Sequence, residues 1–335
     1  MSDEALSTYP RGWFAVAFSS EIPVGTTKPM KYFGQALAAW RGEDGKVRIV
    51  DAYCAHMGAH LAVKGKVAGN CIQCPFHGWR YDGDGKCVEI PYAKRVPPTA
   101  RQRPWTVREV NGVVLLHHDP DGNAPDFDIP VIEEYGSSDW LDWSTSFYHI
   151  KTHPREVVDN LADKAHFAFV HDTEIEEFRF EVDGHTATQH VKGKAYIRGG
   201  LGVDEFSSRT TYHGPGYLHM RMDGVLQNHM LALHTPVDEN SIDLRLGVTL
   251  KAYDRSWELT RNRQGWPVSW EWSTEDRSSF LKAVTRFTSN YAPLFGTLLT
   301  PLVSGIRVAG PFEPSWAQTT PRLVIVDTTT GLIEG

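Results

Sequence analysis

Cysteine is scarce in this chain, with four residues in 335. So few thiols exclude the dense disulfide framework of a small secreted domain, and in a reducing compartment they serve as free thiols or metal ligands. Long apolar runs are missing too. None approaches the roughly twenty residues of a membrane-spanning helix, and the opening Met1-Ser2-Asp3-Glu4 has no charged-then-apolar leader. Positive charge is not in excess: 34 Lys and Arg stand against 41 Asp and Glu, for a formal net charge of −7. That balance argues against nucleic acid as a partner. With 41% hydrophobic and 22% charged residues, the chain reads as soluble, globular and cytoplasmic. Its length is large for one compact domain and suggests two.

Two of the four cysteines lie in the most informative pattern. Cys54-Ala55-His56 is followed by seventeen residues and then Cys74-Pro75-Phe76-His77. Two thiolates and two imidazoles suit either a structural zinc site or a Rieske [2Fe–2S] centre. The zinc-finger order puts both Cys before both His, whereas here the types alternate. The flanks, Met57-Gly58 and Gly78-Trp79, suit tight loops whose backbone N–H groups approach sulfur. The pattern therefore predicts a Rieske centre, with Cys54 and Cys74 on one iron and His56 and His77 on the other. Cys71 and Cys87 remain as ordinary thiols, a disulfide near the cluster being the alternative.

Residues 12–118 are dominated by short β-like runs: Trp13–Phe18, Lys31–Ala38, Val47–Asp51, Val107–Val110 and Val113–His117. Turn signals at Glu43-Asp44-Gly45, Asp82-Gly83-Asp84-Gly85 and Asn111-Gly112 separate several of them. This predicts an all-β domain over 11–119, a Pro- and Asp-rich linker over 120–130 and a second domain over 131–290. The second domain reads as α+β, an antiparallel sheet with helices against it. Within it a strand-like run covers Tyr148–Ile150, and β-like segments fill Phe178 to Leu250.

Between these, Val158, Leu161, Ala162, Ala165 and Phe169 recur at helical spacing and predict one helix over about 155–168. On that helix Asn160, Asp163 and His166 would share a face. His166 and His171 are five apart, so the helix must end or distort near Phe169 for both rings to meet. Two His with a carboxylate form the facial triad of non-haem iron oxygenases, and core or surface histidines are the plain alternative. A one-electron donor in the same polypeptide favours the iron reading, because such a donor needs an acceptor.

The chain resembles the oxygenase component of Rieske non-haem iron oxygenases, most of all the 3-ketosteroid 9α-hydroxylase branch. The residues that carry this are Asp51–Gly58, Cys74–Arg80, Ile90–Pro98 and Asp159–Phe167, within a similarity from about Arg11 to Lys251. The resemblance implies a helix-grip catalytic domain and a mononuclear Fe(II) bound by His166 and His171. It implies that Asp163 bridges to a cluster histidine across neighbouring subunits of a homotrimer, and that Asn160 lies near the iron. It further implies O₂ and an apolar ring substrate such as a 3-ketosteroid, in steroid or cholesterol catabolism. No nucleotide-binding fingerprint occurs, so a separate NADH-dependent flavin and iron–sulfur reductase is the expected electron source. Phe167, Phe169, Phe178, Phe180, Tyr217, Met220, Met222 and Leu231 are consistent with an apolar pocket or with ordinary core.

The chain departs from the family pattern where a late Asp or Glu should complete the iron site. Glu271, Glu275, Asp276, Glu313 and Asp327 are available. Asp276 is the candidate third ligand, although Ser273-x-x-Asp276 before Phe280, Leu281, Val284 and Phe287 also reads as a helix cap. Residues 291–335, poor in charge and rich in Thr, Pro and Gly, read as an atypical tail, altered in frame or truncated. The expected activity is monooxygenation of an unactivated C–H bond. The alternatives are oxidation of another apolar ring, desaturation of a sterol, or a catalytically defective homologue or electron carrier.

Overall fold

The computed structural model describes residues 9–171, 173–197, 202–224 and 227–251, with the strands Trp257–Leu259 and Val268–Trp270. Asp276, the other late carboxylates and the 291–335 tail lie outside the described residues.

The first part is all β. Its strands are β1 (Gly12–Phe18), β2 (Thr27–Tyr32), β3 (Gln35–Arg41), β4 (Val47–Asp51), β5 (Lys66–Ala68), β6 (Cys71–Gln73), β7 (Arg80–Tyr81), β8 (Cys87–Glu89), β9 (Val107–Val110) and β10 (Val113–His118). They form three antiparallel sheets, ordered β1-β10-β9, β2-β3-β4 and β5-β6-β7-β8. The first two sheets enclose a core of Phe14, Val16, Leu37, Ile49 and Leu116. The third packs Leu61, Ile72 and Tyr81 against Ala38, Trp40 and the sulfurs of Cys54 and Cys74.

Lys31–Ala38 is not one strand, as its composition predicted, but a hairpin joining β2 to β3. Phe33 and Gly34 both have positive φ, 53° and 70°. Consecutive left-handed residues make the type I′ turn whose twist matches a two-residue hairpin, and an aromatic at its first position hides the signal. Asn111 and Gly112, at 54° and 72°, make the same turn between β9 and β10, as the dipeptide predicted.

The second part is one antiparallel sheet of seven strands, in the order β11-β17-β16-β15-β14-β13-β12. These are β11 (Ser144–Ile150), β12 (Thr173–Asp183), β13 (Thr186–Ile197), β14 (Gly202–His213), β15 (Tyr217–Asp223), β16 (Asn228–Asp238) and β17 (Ser241–Leu250). Alternation sorts its side chains onto two faces. Tyr217, Leu231 and Leu233 pack on Trp13, Ala15 and Leu115 of the first part, and Thr235 Oγ1 donates to Ala15 O at 2.6 Å. The opposite face, with Ala187, Tyr212, Leu218, Met220 and Ala232, is covered by Val158 and Leu161.

The predicted single helix over 155–168 is broken. α1 (Pro154–Asp159) runs into a 3-10 turn at Asn160–Ala162, and α2 (His166–Val170) starts afresh. Asp163 between them is extended, with φ −81° and ψ 109°. Its Oδ1 accepts from Ala165 N at 2.8 Å, so a short polar side chain takes the backbone donor that a continuing helix would use. One break therefore precedes His166, and α2 also ends at Val170, next to Phe169 as expected, with His171 at its C-terminal cap. The predicted linker runs without regular structure but is anchored. Pro130 O accepts from Asn111 Nδ2 at 2.9 Å, Ile132 N donates to Asn111 Oδ1 at 2.8 Å, and Trp13 Nε1 donates to Phe127 O at 2.8 Å.

Candidate metal centres and the pocket between helices and sheet

Cys54 and His56 lie on the loop between β4 and β5, Cys74 and His77 on the loop between β6 and β7, and the two loops are built alike. In each, the Cys N–H donates to the carbonyl five residues on: Cys54 to Ala59 at 2.9 Å and Cys74 to Trp79 at 2.8 Å. In each, a glycine four residues on closes the loop onto the Cys carbonyl, Gly58 at 2.9 Å and Gly78 at 3.1 Å. Both glycines have φ near the left-handed well, 70° and 73°, where a Cβ is strained.

The four side chains meet at the tip. The rings of His56 and His77 have centroids 4.6 Å apart, and Trp79 stacks on His56 at 4.7 Å. Trp79 Nε1 in turn donates to Tyr92 Oη at 2.8 Å. Cys54 and Cys74 are buried, whereas His56 is exposed. Burial raises the Cys74 pKa against the pull of the Phe76 and His77 N–H groups aimed at its sulfur, and the adjacent Cys54 thiol raises it further. Two neighbouring buried thiols with backbone donors directed at them suit iron, which binds thiolate and removes their mutual repulsion. All four cysteines are unpaired by disulfides.

Among the described residues, no group of three or more His, Cys, Asp or Glu converges on a single metal position. A two-iron cluster takes a sulfur pair and a nitrogen pair, and these two loops supply one of each. The donor set thus fits a [2Fe–2S] group better than one zinc.

The second site lies where the helical segment meets the sheet. His166 and His171 face each other with ring centroids 5.2 Å apart. Burial lowers the pKa of both, and the neighbouring His166 helps push His171 down to about 4. Both are therefore neutral near pH 7, the form that binds a metal. His166 Nδ1 is buried without a hydrogen-bond partner, and Asp163 Oδ2 stands 3.6 Å from it, too far for a hydrogen bond. A ligating histidine commonly hands its second nitrogen to a carboxylate, and Asp163 is set for that. Asn160 is half-buried at the start of the 3-10 turn. The donor set fits a metal bound by two imidazoles, and Asp276 lies outside the described residues.

On the sheet, the strand register sets Gln189, Thr210, Met220 and Met230 side by side. Gln189 Nε2 donates to Leu161 O and Tyr212 Oη to Val157 O, tying the sheet to the helical segment. The expected apolar set divides here. Met220 packs on the helix-covered face, and Phe178 pairs with Val191 at the β12 edge. Phe180 is largely exposed. Tyr217 and Leu231 are core against the first part, because their parity on β15 and β16 points them away from the histidines. Sequence reasoning did not single out Gln189, Thr210 or Tyr212; their only signal is alternation once the strand register is known.

The profile of the Rieske [2Fe–2S] domain matches residues 12–100, and that of the 3-ketosteroid 9α-hydroxylase C-terminal domain matches 116–264. A 3-ketosteroid-9-alpha-monooxygenase oxygenase component from Rhodococcus rhodochrous is 38% identical over 261 residues, covering 74% of this chain and 67% of that protein. The cholesterol 7-desaturase of Xenopus laevis is 42% identical over 172 residues, 51% of this chain and 38% of that one. A crystal structure of dicamba monooxygenase bound to dicamba superposes with a TM-score of 0.62 at 20% identity, over 72% of this chain and 77% of that one, which supports the fold. The matched part spans 65% to 69% of the length of the bacterial steroid relatives. With both domains matched in order, the cofactors are a Rieske [2Fe–2S] cluster and a mononuclear iron, and the chain belongs to the Rieske non-haem iron oxygenases, in the 3-ketosteroid 9α-hydroxylase branch.

Proposed function

We propose that this chain is the oxygenase component of a two-component, cytoplasmic monooxygenase that hydroxylates a C–H bond of a 3-ketosteroid-like substrate. The observation that carries the reading is the coexistence in one chain of two matched Cys-to-Gly loops and a buried, neutral His166/His171 pair on the helical segment that covers an apolar sheet face. Cys54, His56, Cys74 and His77 hold the cluster, and His166 and His171 hold the single iron, with Asp276 as the third ligand. When bound, these groups supply electron transfer and the activation of O₂.

The protein's own residues do the rest. Burial keeps His166 and His171 deprotonated, so they compete for metal rather than for protons. Asp163 Oδ2 stands 3.6 Å from His166 Nδ1, and the carboxylate, 47% exposed, has an open side on which to accept a hydrogen bond from the exposed His56 ring of a neighbouring subunit in a homotrimer. Asn160, half-buried on the same segment, would lie near the iron without binding it. Leu218, Met220 and Ala232 keep water from the reacting carbon, and the thioether adapts to a rigid ring system. Electrons come from a separate NADH-dependent flavin and iron–sulfur reductase.

Turnover of a small 3-ketosteroid panel with such a reductase, NADH and ¹⁸O₂ tests this. One labelled oxygen in the product is expected, and NADH consumption without product would sink the reading in favour of a defective homologue. Similarity to the cholesterol 7-desaturases supports a second reading, in which the same panel, extended to sterols, yields an unlabelled alkene.

A further inference from the structure

Arg245, on β17, is a charged side chain that is only 3% exposed. It pairs with Leu233 on the sheet face that meets the first part, and there its Nε donates to Glu21 Oε1 at 3.2 Å. Its Nη1 has no hydrogen-bond partner among the described residues. The guanidinium instead lies over two rings, with Cζ 5.0 Å from the centroid of Phe147 and 6.0 Å from that of Tyr32, within reach of cation–π attraction. Tyr32, buried on β2, donates its Oη to Asp243 Oδ2 at 3.0 Å. Asp243 shares a face of β17 with Arg245 because the two are two residues apart, and its Oδ1 meets His149 Nδ1 at 2.9 Å.

These contacts sit beside a docked hairpin. The N–H groups of Phe33 and Gly34, at the β2–β3 turn, donate to Pro236 O and Val237 O of β16, both at 2.9 Å. Lys31 Nζ stands 3.5 Å from Asp238 Oδ2, and Lys28 Nζ ties Glu21 to β2 at 3.0 Å. From this hairpin the backbone leads straight to the first cluster loop. Leu37 on β3 pairs with Asp51 at the end of β4, Ala52 N donates to Ala36 O at 3.0 Å, and Cys54 comes two residues later.

Well-packed apolar side chains can match the stability of a buried ion pair, so what the pair adds is a single orientation. The apolar contact of Tyr217 and Leu231 with Trp13 and Leu115 accepts small slides and rotations more readily than a directed hydrogen bond does. We propose that Arg245, seated between Glu21 and Tyr32, is a positioning residue that sets the angle of the cluster domain on the catalytic sheet, and thereby the distance over which the cluster passes an electron to the single iron of the neighbouring subunit. The step moves one electron: the reduced cluster is oxidised, the iron site with its O₂ is reduced, and the reductase restores the cluster.

The inference rests on the cluster, iron and homotrimer of the proposed function, and the experiment separates the two. Full-length protein loaded with both metal groups is compared as wild type, Arg245→Met and Tyr32→Phe. Hydrogen exchange at the Phe33 and Gly34 amides reads the docked hairpin, and both should exchange about tenfold faster in Arg245→Met. Reoxidation of the pre-reduced cluster is followed in a single turnover with O₂ and a 3-ketosteroid that the wild type hydroxylates. It should slow by up to about 100-fold in Arg245→Met, and by less in Tyr32→Phe. Hydrogen peroxide supplies the oxygen atom and both electrons, converting C–H and H₂O₂ to C–OH and water, so peroxide-driven product should form at the wild-type rate in both variants. A residue that only stabilises the core would lower both reactions together or neither. Unchanged exchange, unchanged reoxidation, or an equal loss in the peroxide-driven reaction overturns the proposal. A wild type whose reduced cluster is not reoxidised would overturn the proposed function, and the positioning role with it. Should Arg245→Met fail to fold, Tyr32→Phe decides alone.

Discussion

Asp163 divides its carboxylate between two neighbours: Oδ1 accepts from Ala165 N at 2.8 Å, and Oδ2 faces His166 Nδ1 at 3.6 Å. One oxygen caps the backbone that breaks the helix, and the other addresses the ring that the break exposes. The residue is thus both the reason the segment bends and part of what the bend presents.

The two roles separate by substitution. Asp163→Asn keeps an oxygen for Ala165 and loses the charge, so thermal stability should hold while reductase-coupled turnover falls about 10- to 100-fold. Asp163→Ala should lose turnover and also about 1 kcal/mol of stability with the cap. Melting curves and NADH-coupled oxidation on both variants check this, and equal stability loss in both would contradict the division of labour.

Metal content tests the completeness of the iron site. Purified protein should carry about three irons per subunit, two in the cluster and one between His166 and His171. His171→Ala should remove the single iron and leave the visible cluster spectrum unchanged. Cys54→Ser should abolish that spectrum. About two irons in the unmodified protein would indicate a cluster beside an unfilled single-iron site.

Acid should destabilise the apoprotein in a definite window. Burial holds His219 at a pKa of about 3 and His234 at about 4, against about 6.5 in the unfolded chain. Both pKa values are lowered by folding, so the unfolded state binds protons first as pH falls. Stability should be flat above about pH 7 and should decline from roughly pH 6.5 toward pH 4. Each histidine takes up to ~1.4 kcal/mol per pH unit across that range. Denaturant titrations at several pH values measure it, and replacing His219 by Gln should flatten the slope.

The hairpin at Phe33-Gly34 makes a stability prediction that a continuous strand would not. Gly34→Ala puts a Cβ at φ 70°, 3.2 Å from the Tyr9 hydroxyl, and should cost about 1–2 kcal/mol. Gly69, also at positive φ but with nothing within 4 Å, is the control for strain without crowding. A neutral Gly34→Ala would mean the turn relaxes to another type.

Local chemistry was the legible part of this protein. Cys54, His56, Cys74 and His77 are readable because their spacing is enforced within two short loops, each closed by its own backbone and a left-handed glycine. Asn111-Gly112 is readable for the same reason, since a dipeptide contains the whole turn. Phe33-Gly34 was not, because an aromatic in the left-handed position is allowed by its burial among Phe14, Trp105 and His118 rather than by its own preference.

The sequence by itself determined the β-rich first part and the α+β second part, and it named the candidate ligands, because those depend on residue types and short periods. Tertiary structure alone decided which face each strand residue serves, since parity has meaning only once register is set. It sent Tyr217 and Leu231 into the core and Met220 to the face covered by Val158 and Leu161. It also decided where the 155–168 segment breaks, because helical periodicity cannot register that the Asp163 side chain competes for a backbone N–H. And it brought Tyr81 to Cys54 across 27 residues of sequence, a contact made by two loops folding onto one sheet.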